Sequence, residues 1–141
     1  MEEKELKIIL IDDDKIMLFL NEMFLRKAGV LHDTILFHNG KEALSYLDSY
    51  EAENTVFLIL LDINMPVMNG WDFLHAVQER PYLQRLWIVL VSSATENSEQ
   101  EKALSFDHVI GYQQKPLTLQ GCLEITSAEP VKAFFDSKKP E

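Results

Sequence analysis

Val56-Phe57-Leu58-Ile59-Leu60-Leu61, running directly into Asp62, is the stretch whose reading decides the fold. A strand with one wet face alternates apolar and polar residues, whereas a run that is apolar at every position suits a central parallel strand covered by helices on both faces. Its surroundings agree. Leu6–Ile11, Thr34–Phe37, Leu86–Val91 and Val109–Tyr112 read as further short strands. Between them, Lys15–Ala28, Lys41–Tyr50, Trp71–Glu79 and Ser98–Phe106 carry apolar residues at helical spacing, and Gly29 stands where the first helix should close. Strand and helix alternate, so the chain is expected to be α/β, with right-handed crossovers winding five parallel strands into a doubly wound open sheet. Ligands of such sheets bind beyond the carboxyl ends of the strands, where the winding reverses.

A last helix is expected from near Thr118, fading before Pro130. Residues 1–128 then form the domain, and 129–141 a C-terminal tail that carries Phe134 and Phe135, either flexible or a short extra helix. A chain of 141 residues that is 47% hydrophobic and 26% charged can bury one core without disulfides. No linker toward a second domain is visible, so a stand-alone domain is expected. The single cysteine, Cys122, fits a reducing, cytoplasmic setting. The apolar runs are far shorter than the roughly 20 residues that span a bilayer, and the charged start Met1–Lys7 is not laid out as a signal peptide. A formal net charge of -10 argues against nucleic acid or membrane as partners.

The chemistry lies at the strand ends. The first strand runs into Asp12-Asp13-Asp14 and the third into Asp62, so both deliver carboxylates to one edge of the sheet. Acids brought this close raise one another's pKa unless a cation sits among them. Oxygen donors without nearby Cys or His suit Mg²⁺ rather than zinc. A lone Asp-Asp pair is as often a solvated loop, but two acidic strand ends in one sheet are hard to assign to solvation. The fourth strand adds Ser92 and Ser93 to the same rim, and the fifth leads into Lys115-Pro116. A lysine and a hydroxyl among carboxylates can hold phosphoryl oxygens.

Ile9-Leu10-Ile11-Asp12-Asp13-Asp14, Leu61-Asp62-Ile63-Asn64-Met65-Pro66 with Asn69-Gly70, Val91-Ser92-Ser93 and Lys115-Pro116 together resemble the signature of response-regulator receiver domains. The resemblance covers about Lys7 to Ile125 and implies a flavodoxin-like strand order, 2-1-3-4-5. It also implies that Asp62 is the phosphoacceptor, that Asp13 ligates Mg²⁺ directly and Asp12 mostly through water, and that the Asn64 carbonyl and Asp62 complete the metal site. Ser92 becomes the hydroxyl switch, Tyr112 the aromatic that moves with it, and Lys115 the phosphoryl contact. Pro66, Gly70 and Pro116 take structural roles, with a cis bond before Pro116 and backbone freedom as the need at Gly70. Asn64 and Ala94 occupy the positions that tune hydrolysis of the acyl phosphate. The implied partners are a sensor histidine kinase or histidine phosphotransfer protein and a downstream protein, met as a monomer or a phosphorylation-dependent dimer. Trp71 reads as packing near the pocket.

Two other readings compete. A haloacid-dehalogenase-type phosphatase also uses a strand-end Asp, but it wants two acids separated by one residue and followed by a short hydroxylated or apolar residue, where here Asp12-Asp13-Asp14 runs into Lys15 and no cap domain is evident. A catalytically inactive interaction module is the second, and a missing Asp62 or Lys115 would have favoured it. Both residues are present.

Overall fold

A computed structural model of the chain describes residues 4–93 and 97–136. Ala94 and the last five residues of the tail lie outside the described residues. The elements run β1 (Glu5–Ile11), α1 (Lys15–Lys27), β2 (Thr34–Phe37), α2 (Gly40–Ser49), β3 (Thr55–Asp62), α3 (Gly70–Gln78), a 3-10 turn (Leu83–Arg85), β4 (Leu86–Ser92), α4 (Asn97–Leu104), β5 (Val109–Gln114), α5 (Leu119–Thr126) and α6 (Glu129–Asp136). The strands form one parallel sheet in the order β2-β1-β3-β4-β5. This is the doubly wound α/β fold expected from the sequence. Its winding reverses between β1 and β3, the adjacent pair whose register sets Ile11 beside Leu61.

The reading of β3 is met in full, because all eight of its residues are buried. Pleating splits the apolar set by parity. Ile9, Ile11, Phe57, Ile59, Leu61, Ile88 and Leu90 face a cluster completed by Leu44 and Leu47 of α2 and Phe73, Leu74 and Val77 of α3. Ile8, Leu10, Leu58, Leu60, Val89 and Val91 face the opposite one, with Leu18 and Leu25 of α1 and Cys122 and Ile125 of α5. A sheet covered on both sides holds its strand ends still, which a site built on those ends requires.

Gly29 closes α1 as its position predicts. It takes φ +95, its N–H reaches the Arg26 carbonyl, and the Val30 N–H reaches the Leu25 carbonyl, both at 3.0 Å. That pairing satisfies carbonyls the helix would leave bare, and only glycine enters the left-handed region without penalty. Three strands run past their expected ends: β3 includes Asp62, β4 includes Ser92, and β5 continues to Gln114. The 3-10 turn before β4 has no counterpart in the sequence reading.

The segment set apart as a tail begins with α6. Val131 and its partners Phe134 and Phe135 fall at i, i+3 and i+4, so they share one face of a helix. Val131 is fully buried against the α1/α5 side of the core, and Phe135 meets the His32 ring edge-on at 5.1 Å. No helix among the described residues is long and apolar enough to cross a membrane.

Candidate functional site

The register between β1 and β3 brings Asp12 and Asp62 side by side at the reversal point, where they are only 2% and 4% exposed. Asp13, the next residue on the loop, is exposed. Asp12, Asp13 and Asp62 each offer an oxygen within 4.8 Å of the others. Local geometry keeps the first loop in place. The Asp14 N–H donates to Asp12 Oδ1 at 2.9 Å, while the Asp14 carboxylate accepts from the N–H groups of Ile16 and Met17 and caps α1. Asp14, quoted in the sequence only as part of an acidic run, therefore serves the helix.

Lys115 reaches the same place from the end of β5. Its Nζ lies 2.9 Å from Asp12 Oδ2 and 3.0 Å from Asp62 Oδ1. The Lys115 N–H donates to the Ser92 carbonyl at 2.8 Å, and the Lys115–Pro116 bond is cis, as the resemblance implies. Burial is the largest influence on Asp62, the Asp12 charge adds to it, and the two outweigh Lys115, so the carboxyl is pushed up to about 6. Burial pulls the Lys115 ammonium down, but its hydrogen bonds to Asp12 and Asp62 and their charges together hold it above its ordinary value.

One cation shared by two buried carboxylates predicts a specific response to its loss. Lys115→Met is expected to destabilise the protein by about 2 kcal/mol at pH 8, since removing one partner of a buried pair exposes the desolvation cost of the other. The loss should shrink near pH 5, where Asp62 can take up a proton instead. Chemical denaturation at the two pH values checks it, and an equal loss at both would contradict it.

The loop after β3 is drawn tight. Asn64 lies exposed two residues past Asp62. The Met68 N–H donates to the Pro66 carbonyl at 2.8 Å, and Val67 takes φ 72 between them. Gly70 then donates to the Ile63 carbonyl at 2.8 Å, and Asn69 caps α3 through a reciprocal bond with Asp72. The demand on Gly70 differs from the one expected. Its φ is not in the left-handed region, but an added Cβ would stand 2.7 Å from the Asp62 carbonyl oxygen and 2.8 Å from Ile63 Cα. Gly70 is needed for space rather than for backbone freedom.

Ser92, at the end of β4, is buried, and its hydroxyl donates to Glu99 Oε1 at 2.8 Å. Tyr112 on β5 donates to the same oxygen at 2.5 Å. Sequence reasoning missed Glu99, and its one signal was an acid in the first turn of a helix that follows a strand end. Trp71 stacks on Phe106 at 6.1 Å, with the Lys102 ammonium 4.2 Å from its ring centroid, so it packs as expected.

Fold and site together define a doubly wound α/β protein with a buried, oxygen-lined acidic cleft and a lysine at its switch point. Residues 8–126 match the family model described as the response regulator receiver domain. The chain belongs to that family, and it is a two-component signal-transduction receiver. It is 29% identical over 132 residues to Response regulator Rcp1 of Synechocystis sp., covering 91% of this chain and 87% of that protein. It is also 29% identical over 126 residues to Two-component response regulator 24 of Arabidopsis thaliana, covering 87% and 83%. Among solved structures, a two component response regulator from Cytophaga hutchinsonii superposes with a TM-score of 0.77 at 27% identity, covering 93% of this chain and 99% of that one. A response regulator receiver protein from Dyadobacter fermentans gives 0.76 at 28% identity, covering 86% and 95%. Neither the phosphatase reading nor the inactive module is favoured by these likenesses.

Proposed function

We propose that Asp62 accepts a phosphoryl group from a phosphohistidine, carried by a sensor histidine kinase or a histidine phosphotransfer protein in the cytoplasm. The observation that carries this reading is Lys115 Nζ between Asp12 and Asp62, 2.9 and 3.0 Å away, beside an exposed Asp13. A buried carboxylate facing an open carboxylate and an ammonium has a nucleophile's environment and a donor's approach. The receiver unit on this reading is 1–128, with 129–141 appended to it.

Asp62 attacks phosphorus in line, the new O–P bond forms as the donor's N–P bond breaks, and the bonding pair leaves with the imidazole. Lys115 already sits against the attacking carboxylate and stabilises charge on a phosphoryl oxygen. Ser92 holds another oxygen, and Tyr112 follows the movement of Ser92. The donor set fits Mg²⁺: three carboxylates with no Cys or His in the cluster, one of them kept from ionising freely by burial and a neighbouring charge. Asp12, Asp13, Asp62 and the Asn64 carbonyl would hold the ion, Asp12 through water. Bound Mg²⁺ would neutralise charge on the phosphoryl oxygens. Water later hydrolyses the acyl phosphate, returning Asp62 to its starting form. The altered face of α4, β5 and α5 then changes its affinity for a downstream protein or for a second copy.

Incubation with acetyl phosphate and Mg²⁺, followed by intact mass, tests the reading. The expected result is a gain of one phosphoryl group that needs the metal and is absent in Asp62→Ala. No gain, together with no Mg²⁺ binding, would overturn it in favour of an inactive module. The raised Asp62 pKa adds a pH dependence. Since the proton and the ion compete for one carboxylate, Mg²⁺ affinity should fall about tenfold per pH unit below about 6 and level off above 7. Mg²⁺ titrations followed by thermal melting at several pH values would show it; a flat profile would mean that Asp62 is not a ligand.

A further inference from the structure

We infer that Glu99 is a positioning residue that holds the unphosphorylated state, by serving as the common acceptor for the Ser92 hydroxyl and the Tyr112 phenol. This rests on the receiver reading and extends it to a residue that the site motifs do not contain. Glu99 stands in the first turn of α4, half-buried, and its Oε1 takes both bonds, at 2.8 and 2.5 Å. One carboxylate oxygen thereby ties the end of β4, the middle of β5 and the start of α4 together.

A serine hydroxyl has one proton to donate. In this structure Ser92 gives it to Glu99. If a phosphoryl oxygen on Asp62 is to receive it, the bond to Glu99 must break, so the two acceptors compete for one donor. Breaking it leaves Glu99 with one of its two donors just as the cleft gains negative charge, and both changes favour movement of Glu99 away from β4. Tyr112 is bound to the same oxygen and is drawn into that movement. Ser92 and Tyr112 therefore communicate through Glu99, and the strength of the Glu99 bonds sets how much of the switching energy phosphorylation must supply. Both bonds are charge-assisted and lie in a sheltered place, where such bonds are strongest.

Beryllofluoride with Mg²⁺ serves as the probe, because it occupies the phosphoryl position without a covalent step that hydrolyses. Its dissociation constant is read from amide chemical shifts in the wild type, Glu99→Gln and Glu99→Ala, and in each of these with Ser92→Ala added. With Ser92 in place, Glu99→Ala should bind beryllofluoride about tenfold more tightly than wild type, the size expected of one charge-assisted hydrogen bond no longer broken. Glu99→Gln keeps the shape but weakens the acceptor and should fall between. In the Ser92→Ala background both gains should vanish, since no hydroxyl remains to compete for. Unchanged affinity in folded Glu99→Gln and Glu99→Ala would overturn the inference. So would an equal gain in the Ser92→Ala background, which would indicate general loosening of α4. A wild type that binds no beryllofluoride would overturn the receiver reading itself, and this inference with it.

Discussion

Asp62→Asn is expected to take no phosphoryl group and yet to melt higher than the wild type when metal is absent. The first half follows from the role of nucleophile proposed for Asp62. The second follows from the cost of an ionised Asp62 in a buried cleft beside Asp12. The carboxyl titrates at about 6 in the folded protein against an ordinary 3.8. The folded state thus binds its proton more firmly than the unfolded chain, and stability falls as pH rises from about 4 to about 6. Above that window the full cost is present. Asparagine removes the charge while leaving an oxygen that can accept from Lys115, so about 1–3 kcal/mol should be recovered at pH 8. The advantage should vanish near pH 4 and shrink when Mg²⁺ saturates the wild type, because a ligand bound only to the folded form stabilises it. Melts of both proteins at pH 4 and 8, with chelator and with Mg²⁺, decide the matter. An Asp62→Asn variant that melts lower at pH 8 without metal would mean that Asp62 contributes more through Lys115 than it costs.

Gly70→Ala should be among the most damaging single-atom additions in the chain. Its Cβ would meet the Asp62 carbonyl oxygen at 2.7 Å, Ile63 Cα at 2.8 Å and the Asp62 carbonyl carbon at 3.3 Å, all of them backbone. No flexible side chain can swing aside, so either the Asp62–Ile63 peptide or the first turn of α3 must move. Overpacking of this kind costs about 3 kcal/mol. The displaced group is the backbone of Asp62, the proposed phosphoacceptor, so the phosphorylation rate with acetyl phosphate should fall even where the protein remains folded. Denaturant midpoints together with phosphorylation rates would separate the two effects. A variant as stable and as fast as wild type would show that the loop can yield. Gly111 offers a contrast on the sheet: an added Cβ there meets only Val89 methyl carbons, at 3.7 and 3.8 Å, an ordinary contact.

How legible the site was in the sequence depended on how local each signal is. Asp12 and Asp62 could be placed because each follows an apolar run directly, with Asp13 next in line, and parallel strands end on the same edge. The reason for Gly70 could not, because the atoms that crowd it belong to Asp62 and Ile63, brought back against it by the turn through Val67. Asp14 looked like a member of an acidic cluster, yet the α1 amide groups claim its carboxylate. Val131 was assigned to the tail because the last helix was expected to fade before Pro130, and only the docking of α6 shows where its apolar face goes.

By itself the sequence determined the α/β class, the alternation of strands and helices, the burial of β3 on both faces, and the edge at which the carboxylates, Ser92 and Lys115 gather. Those follow from periodicity and strand direction, which are properties of contiguous residues. Only the tertiary structure decided that Lys115 is shared between Asp12 and Asp62, that Ser92 and Tyr112 meet on Glu99 across separations of 7 and 13 residues, and that Gly70 lies against the Asp62 backbone. A side chain's partner across such distances is set by sheet register and helix docking together, and no local pattern encodes either alone.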